Sequence, residues 1–254
     1  MESKTAIRLP INRWASAVPL YNQIAESLLD QIESGKLVPG SRLPPERELS
    51  EMLGVNRMTL RQALHLLQAQ GLLIRRQGNG TFVADPKIER QAGRLISFTR
   101  GMERRGYKPG ARVISFQERP VEASIAVHLK LPVSAPVYDI HRLRLINTEP
   151  VLLERYAIPV ERFHDLERHD LVNRSMYEIL ETEYGVSVSH ARQSLEAACA
   201  GEYEAKWLGV QPGAPLMLER RVSFDKTYQP VEYGRDVYRG DRFRFVTEIA
   251  SLEL

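Results

Sequence analysis

The stretch LPPERELSEMLGVNRMTLRQALHLLQAQGLLIRRQGNGTFV, residues 43–83, decides how this chain is read. Pro45 is a favoured first residue of a helix, and Glu46 and Glu48 fall in its first turn, where the helix dipole favours negative charge. Leu49, Met52 and Leu53 supply an inward face, and Gly54 ends the helix. Val55 and Asn56 form the turn, with Asn56 as N-cap of a further helix running to about Gln70. On that helix a rotation of about 100° per residue separates Leu60, Ala63, Leu64 and Leu67 from a face carrying Arg57, Met58, Arg61, Gln62 and His65. Gly71 closes it, and 72–75 and 81–83 alternate as short strands around Gln77, Gly78, Asn79 and Gly80. Helix, tight turn, helix and hairpin together outline a winged helix-turn-helix, whose exposed helix face reads a groove of DNA.

Working outward, residues 1–18 show little periodicity and are expected to be a flexible lead-in. From Pro19, Leu20, Ile24, Leu28 and Ile32 recur every four residues and form one apolar stripe, stopped at Gly35. Lys plus Arg total 35 against 32 acidic residues, a formal charge of +3, so DNA affinity has to come from where the arginines sit rather than from overall charge. Capped amphipathic helices with solvated arginines also occur in ordinary helical domains. The helix spacing, the exposed Arg57 and Arg61 four residues apart, and the Gly-rich hairpin favour a DNA reader.

These residues also match a family. LPPERELSEMLGVNRMTLRQAL followed by GLLIRRQGNGTFV resembles the GntR family of bacterial transcription regulators over about residues 19–84. The resemblance implies that Arg47, Arg57 and Arg61 contact DNA, that Thr59 binds phosphate, and that Gly78 and Asn79 form a wing tip entering the minor groove. Asn56 stands where the family more often has Ser or Thr, and Asn caps equally well.

The polar run of residues 85–92 is expected to be the linker, with a second domain over residues 93–254. There the pattern turns to β, with strands expected over 112–119, 137–146, 151–158, 186–197, 216–224, 231–238 and 244–250. Helices are expected over 95–105, 122–129, 176–184 and 201–208. The architecture that follows is α+β, an antiparallel sheet with helices on its faces. An internal repeat is visible: Ala126, Leu129, Leu131, Ala135, Pro136, Val137 and Arg142 recur 79 residues later as Ala205, Leu208, Val210, Ala214, Pro215, Leu216 and Arg221. Two such units would build a pseudo-two-fold sheet with a ligand cleft to which both contribute, although turns of the Ala-Pro kind before strands are common enough to arise by coincidence.

Arg142 and Arg144, two apart on one strand, leave the same face, which suits either a phosphate or carboxylate ligand or surface pairing with Asp and Glu. Ser97, Phe98 and Thr99 open the first helix of this region, and Ser175 and Tyr177 repeat the device, or serve as a cap and a core aromatic. Glu154 and Glu232 interrupt apolar strands, a costly placement unless they meet partners; Arg142 or Arg155 is the structural alternative for Glu154. The region from SFTRGMERRGYKPG through HRLRLINTEPVLLERYAIP and SMYEILETEYGV to QPVEYGRDVYRGDRFRF resembles the UTRA effector-binding domain of the HutC subfamily, which implies a chorismate-lyase-like fold. That resemblance assigns Arg142 and Arg144 to an anion, Glu154 and Glu232 to polar groups of the ligand, and Tyr238 to a place beside it.

No catalytic, nucleotide-binding or metal-spaced motif emerges, so no cofactor and no enzyme activity are expected. His164 and His169 read as solvated or capping loop residues. The one cysteine, Cys199, lies among small residues and reads as buried packing, and with no long apolar run the expected setting is the cytoplasm. The reading is a repressor that binds a palindromic DNA operator as a homodimer and is released by a small anionic metabolite. A phosphorylated sugar or amino sugar comes first, and a carboxylate such as a histidine-degradation intermediate second. The rivals are an enzyme using the lyase-like domain, which the missing catalytic motif opposes, and an all-helical, metal-assisted effector domain, which the β pattern opposes.

Overall fold

The structure, a computed structural model, describes residues 18–76 and 78–249. The expected lead-in, apart from Val18, lies outside the described residues, as do Gln77 and the Ala250 end of the last expected strand. The chain divides into two compact units, 1–87 and 88–254.

In the first unit the three helices are α1 (Leu20–Glu33), α2 (Glu46–Leu53) and α3 (Arg57–Ala69), followed by the antiparallel hairpin of β1 (Leu73–Arg76) and β2 (Gly80–Val83). The turn between α2 and α3 works as its residues demand. Gly54 takes the left-handed conformation at φ 59°, and Asn56 Oδ1 accepts a hydrogen bond from the Thr59 amide at 2.7 Å. Ile24, Leu28, Leu49, Leu60, Leu67, Leu73 and Val83 close one core. Met52, expected inside, is exposed. Leu49, Leu53 and Ser50 are buried, which centres the inner face of α2 between Leu49 and Ser50, and Met52 lies about 100° from that centre. The hairpin also gains a third segment: Arg42 bridges Phe82, and the Val83 amide donates to Ser41 O at 2.8 Å.

The second unit opens with β3 (Ile88–Gln91) and α4 (Phe98–Glu103). The first repeat follows as β4 (Pro109–Pro120), α5 (Ala123–Leu129), β5 (Pro136–Ile146) and β6 (Glu149–Pro159). After two short 3-10 turns and α6 (Met176–Tyr184) comes the second, β7 (His190–Cys199), α7 (Glu202–Leu208), β8 (Pro215–Phe224) and β9 (Pro230–Arg239), and then β10 (Phe243–Val246). One six-stranded antiparallel sheet runs β4-β5-β6-β9-β8-β7. Read outward from the β6–β9 seam, both halves have the same order, so the 79-residue repeat is a pseudo-two-fold in the sheet.

Side chains alternate across this sheet. Leu143, Leu153, Leu218 and Val237 pack with Ala205 and Leu208 of α7, and Val137 and Ala157 with Ala126 and Leu129 of α5. The opposite face carries Tyr138, Ile140, Tyr156 and Ile158 against Met176, Ile179 and Leu180 of α6, and Leu152 and Tyr238 against Phe98 and Met102 of α4.

Four further expectations are corrected. Residues 88–91, read as linker, form β3, which pairs in parallel with β10. This IERQ strand has no apolar alternation and exists only because the far end of the unit returns beside it. The helix expected over 95–105 is confined to Phe98–Glu103, because Ser97 is extended and caps it, accepting from the Arg100 amide. The strand expected from Val186 begins at His190, since Val186 and Val188 pack on the α6 core instead. Cys199 is exposed at the end of edge strand β7, where small neighbours do not ensure burial.

Candidate functional site

Two sets of residues carry chemistry. In the first unit, Arg57, Met58, Arg61, Gln62 and His65 all stand exposed on one face of α3, and Arg47 stands exposed on α2. Thr59 is half-buried, its amide spent on the Asn56 cap. Gly78 (φ 74°) and Asn79 sit exposed at the hairpin tip, the former in a conformation that side chains oppose. Arg61 Nε donates to Glu46 Oε2 at 2.7 Å across the helix-turn-helix, and its side chain stays half exposed.

In the second unit, a cavity opens on the α4/α6 face of the sheet, over the β6–β9 seam. Its walls bring together Ser97, Phe98, Thr99, Arg142, Arg144, Glu154, Ser175, Tyr177 and Tyr238, nine of the ten effector-site residues expected from sequence. The tenth, Glu232, lies behind the wall, fully buried; its Oε1 accepts from Ser223 Oγ at 2.6 Å and from Tyr177 Oη at 3.0 Å. Both repeats contribute, as the two-fold reading requires.

Each arginine is held differently. Arg142 donates from Nε to Glu154 Oε2 at 3.0 Å and from Nη1 to Leu171 O at 2.9 Å, and its Nη2 lies 2.7 Å from the same carboxylate. The pairing of Glu154 with Arg142 is therefore real, whereas Arg155 turns to the other face and binds Asp139. Burial works against the charge on Glu154, but Arg142 and Arg144 outweigh it and hold the carboxyl down at about 2. Arg144 donates from Nη2 to Thr99 Oγ1 at 2.8 Å and lies over the Phe98 ring at 4.7 Å. It is 3.9 Å from Glu154, and its Nε is buried with no partner among the described residues. Arg144 thus carries positive charge that the protein only half neutralises, and burial, with Arg142 beside it, lowers its affinity for its own proton. An anion at this point would supply the missing acceptor.

Charged residues of the wall that the sequence reading did not assign to the site include Arg90, Glu219, Arg221 and Asp236. Arg221 is the repeat counterpart of Arg142, so the repeat already pointed to it. Glu219 and Asp236 interrupt apolar strands in the same way as Glu154. Arg90 carried no such sign, because its strand forms only through pairing with β10. The free volume is about 30 Å³, room for little more than a water, and residues 91–97 form one wall, with Ala92 O accepting from Gln193 Nε2 at 2.6 Å. No cluster of metal-ligating side chains, and no helix long and apolar enough to cross a membrane, occurs among the described residues.

With this geometry in place, comparison with known proteins decides the family. Residues 20–83 match the model of bacterial regulatory proteins of the gntR family, and residues 104–244 match the UTRA domain. The chain belongs to the GntR family. It is a regulator of the HutC type, with a helix-turn-helix domain and a UTRA domain. It is 40% identical over 231 residues, 91% of this chain and 95% of the relative, to the HTH-type transcriptional repressor NagR of Bacillus subtilis (strain 168). It is 30% identical to the probable fructoselysine utilization operon transcriptional repressor of Escherichia coli (strain K12), over 88% of this chain and 91% of that protein. Among solved structures, PhnF from Mycobacterium smegmatis superposes with a TM-score of 0.65 at 29% identity, covering 90% of this chain and all of that one. The relatives are transcriptional regulators, and the enzyme reading has no support among them.

Proposed function

We propose that this GntR-family regulator is a repressor that binds a palindromic operator as a homodimer through Arg47, Arg57, Thr59, Arg61 and the Gly78–Asn79 tip, and that a small anionic metabolite releases it. A phosphorylated sugar is the favoured effector. The observation that carries this is the Arg142–Arg144 pair on β5, one arginine neutralised by Glu154 and the other left with an unpartnered buried Nε beside the Thr99 hydroxyl. A dianionic phosphate suits such a place because it offers several acceptors to a fork of donors. Relatives named for the use of fructoselysine and of mannosyl-D-glycerate support a sugar-derived ligand.

A ligand needs more room than the about 30 Å³ now free. Residues 91, 92 and 94–97, one wall of the cavity, adjoin β3, the first strand of the second unit. Release then requires that the ligand bind one conformation better than the other, and reciprocally that DNA weaken ligand binding.

The test uses full-length protein and an operator selected from a random duplex library. A panel of sugar phosphates and carboxylates is screened by thermal shift, since a ligand of the native state raises apparent stability. Arg144→Met should retain operator binding and lose release by the hit compound. Release that survives both Arg144→Met and Arg142→Lys would overturn the placement of the anion.

A further inference from the structure

Along β8 and β9 the cavity wall changes from basic to acidic. Arg221 is surrounded by three carboxylates: its Nε donates to Glu232 Oε1 at 3.0 Å, and its Nη1 to Glu219 Oε1 and Asp236 Oδ2, both at 3.1 Å. Each acid spends one oxygen on the guanidinium and keeps the other. Glu219 Oε2, Glu232 Oε2 and Asp236 Oδ1 are buried and have no hydrogen-bond partner among the described residues. Glu219 and Asp236, 1% and 2% exposed, line the cavity.

One guanidinium cannot balance three carboxylates where water does not reach them. Arg90 is laid over the rings of Tyr238 and Phe245 at 5.1 and 6.0 Å and lies in the field of Glu219 and Asp236, and Arg144 also acts on Asp236, but neither arginine bonds the free oxygens. Glu154 on β6, directly opposite Asp236 in the pairing register, is already committed to Arg142 and to the Tyr156 hydroxyl. Burial, with Glu154, Glu219 and Glu232 as neighbours and against the pull of Arg221, pushes the Asp236 carboxyl up to about 8. Without a further cation beside its free oxygen, Asp236 thus favours its protonated form.

The basic and acidic ends lie on one line. Arg142, Glu154, Asp236 and Glu219 form a single cross-strand row, which sets the acids two and three strands from Arg142, roughly 10 and 14 Å by strand spacing. We propose that Glu219 and Asp236 are the second pole of the pocket and receive a protonated amine, so that the effector carries an anion at one end and an ammonium at the other. This rests on the reading of Arg142 and Arg144 as the anion pole. A hydroxyl would satisfy the free oxygens but not the charge, whereas an ammonium satisfies both and takes the place of the proton on Asp236.

The experiment compares 6-aminohexyl phosphate with 6-hydroxyhexyl phosphate on full-length protein by isothermal titration at neutral pH, with inorganic phosphate as a probe of the anion pole alone. The amine should bind about tenfold tighter or better, and D236N and E219Q should each bring it towards the hydroxyl probe. Equal binding of the two probes by the native protein, or an amine preference that persists in both variants, overturns the amine pole and leaves the anion site standing. Failure of phosphate and of both probes to bind overturns the anion site, and the second pole with it.

Discussion

The arginines of the two units invite comparison. Arg61 of α3 is half exposed and its one carboxylate partner is exposed enough for water to compete, whereas Arg142 and Arg221 are buried to within a few per cent and face carboxylates equally buried. In water an ion pair is worth little, so Arg57 and Arg61 can exchange their surroundings for phosphate or a guanine edge at small cost. In the sheet an arginine cannot leave without stranding charge, so Arg142 and Arg221 are fixed before any ligand arrives. The same side chain thus stands on an accessible surface in one unit and in a fixed, buried network in the other.

The comparison breaks most visibly at Arg221. Arg221→Met leaves Glu219, Glu232 and Asp236 without their cation and should cost about 3–5 kcal/mol of stability in urea denaturation; a loss below about 1 kcal/mol would mean that the cluster is solvated after all. At the other extreme, Arg57→Ala should change stability by no more than about 0.5 kcal/mol while weakening operator binding at fixed salt by about 1–3 kcal/mol. Operator affinity equal to that of the native chain would remove Arg57 from the readout. A smaller effect than the loss of operator binding is expected at the turn between α2 and α3: Asn56→Ala removes the cap on the Thr59 amide and should lower stability by about 1 kcal/mol. A midpoint that does not move would show the cap to be replaced by solvent.

Much of this was legible in the sequence, and for particular reasons. The helix-turn-helix is local: Pro45, Gly54 and Asn56 specify starts and stops within a few residues of where they act, and the element bounds moved by hardly more than a residue. The sheet was legible through its repeat, because Arg142 and Arg221 in matched positions announced two equivalent units before any strand was paired. The site residues interrupted apolar strands, and charge inside such a strand is tolerated only with a partner. What escaped was non-local. Arg90 reached the cavity because β10 returns to pair with β3. Met52 and Cys199 were misplaced because their exposure depends on which neighbouring element covers them, and near the cavity local pattern overextended the α4 helix that Ser97 cuts short.

By itself the sequence determined the order of elements apart from β3, the exposed arginine face of α3, and the placing of charge within strands that would otherwise be apolar, all of which follow from periodicity, capping and the cost of burying charge. Only the tertiary structure decided how those charges divide. Strand pairing sets Arg142, Glu154, Asp236 and Glu219 in one row, gives Glu154 to Arg142 rather than Arg155, and leaves Arg144 short of an acceptor at one end and Asp236 short of a donor at the other. Hydrogen-bond register is a relation between segments distant in the chain, and it alone determines which buried charge meets its partner.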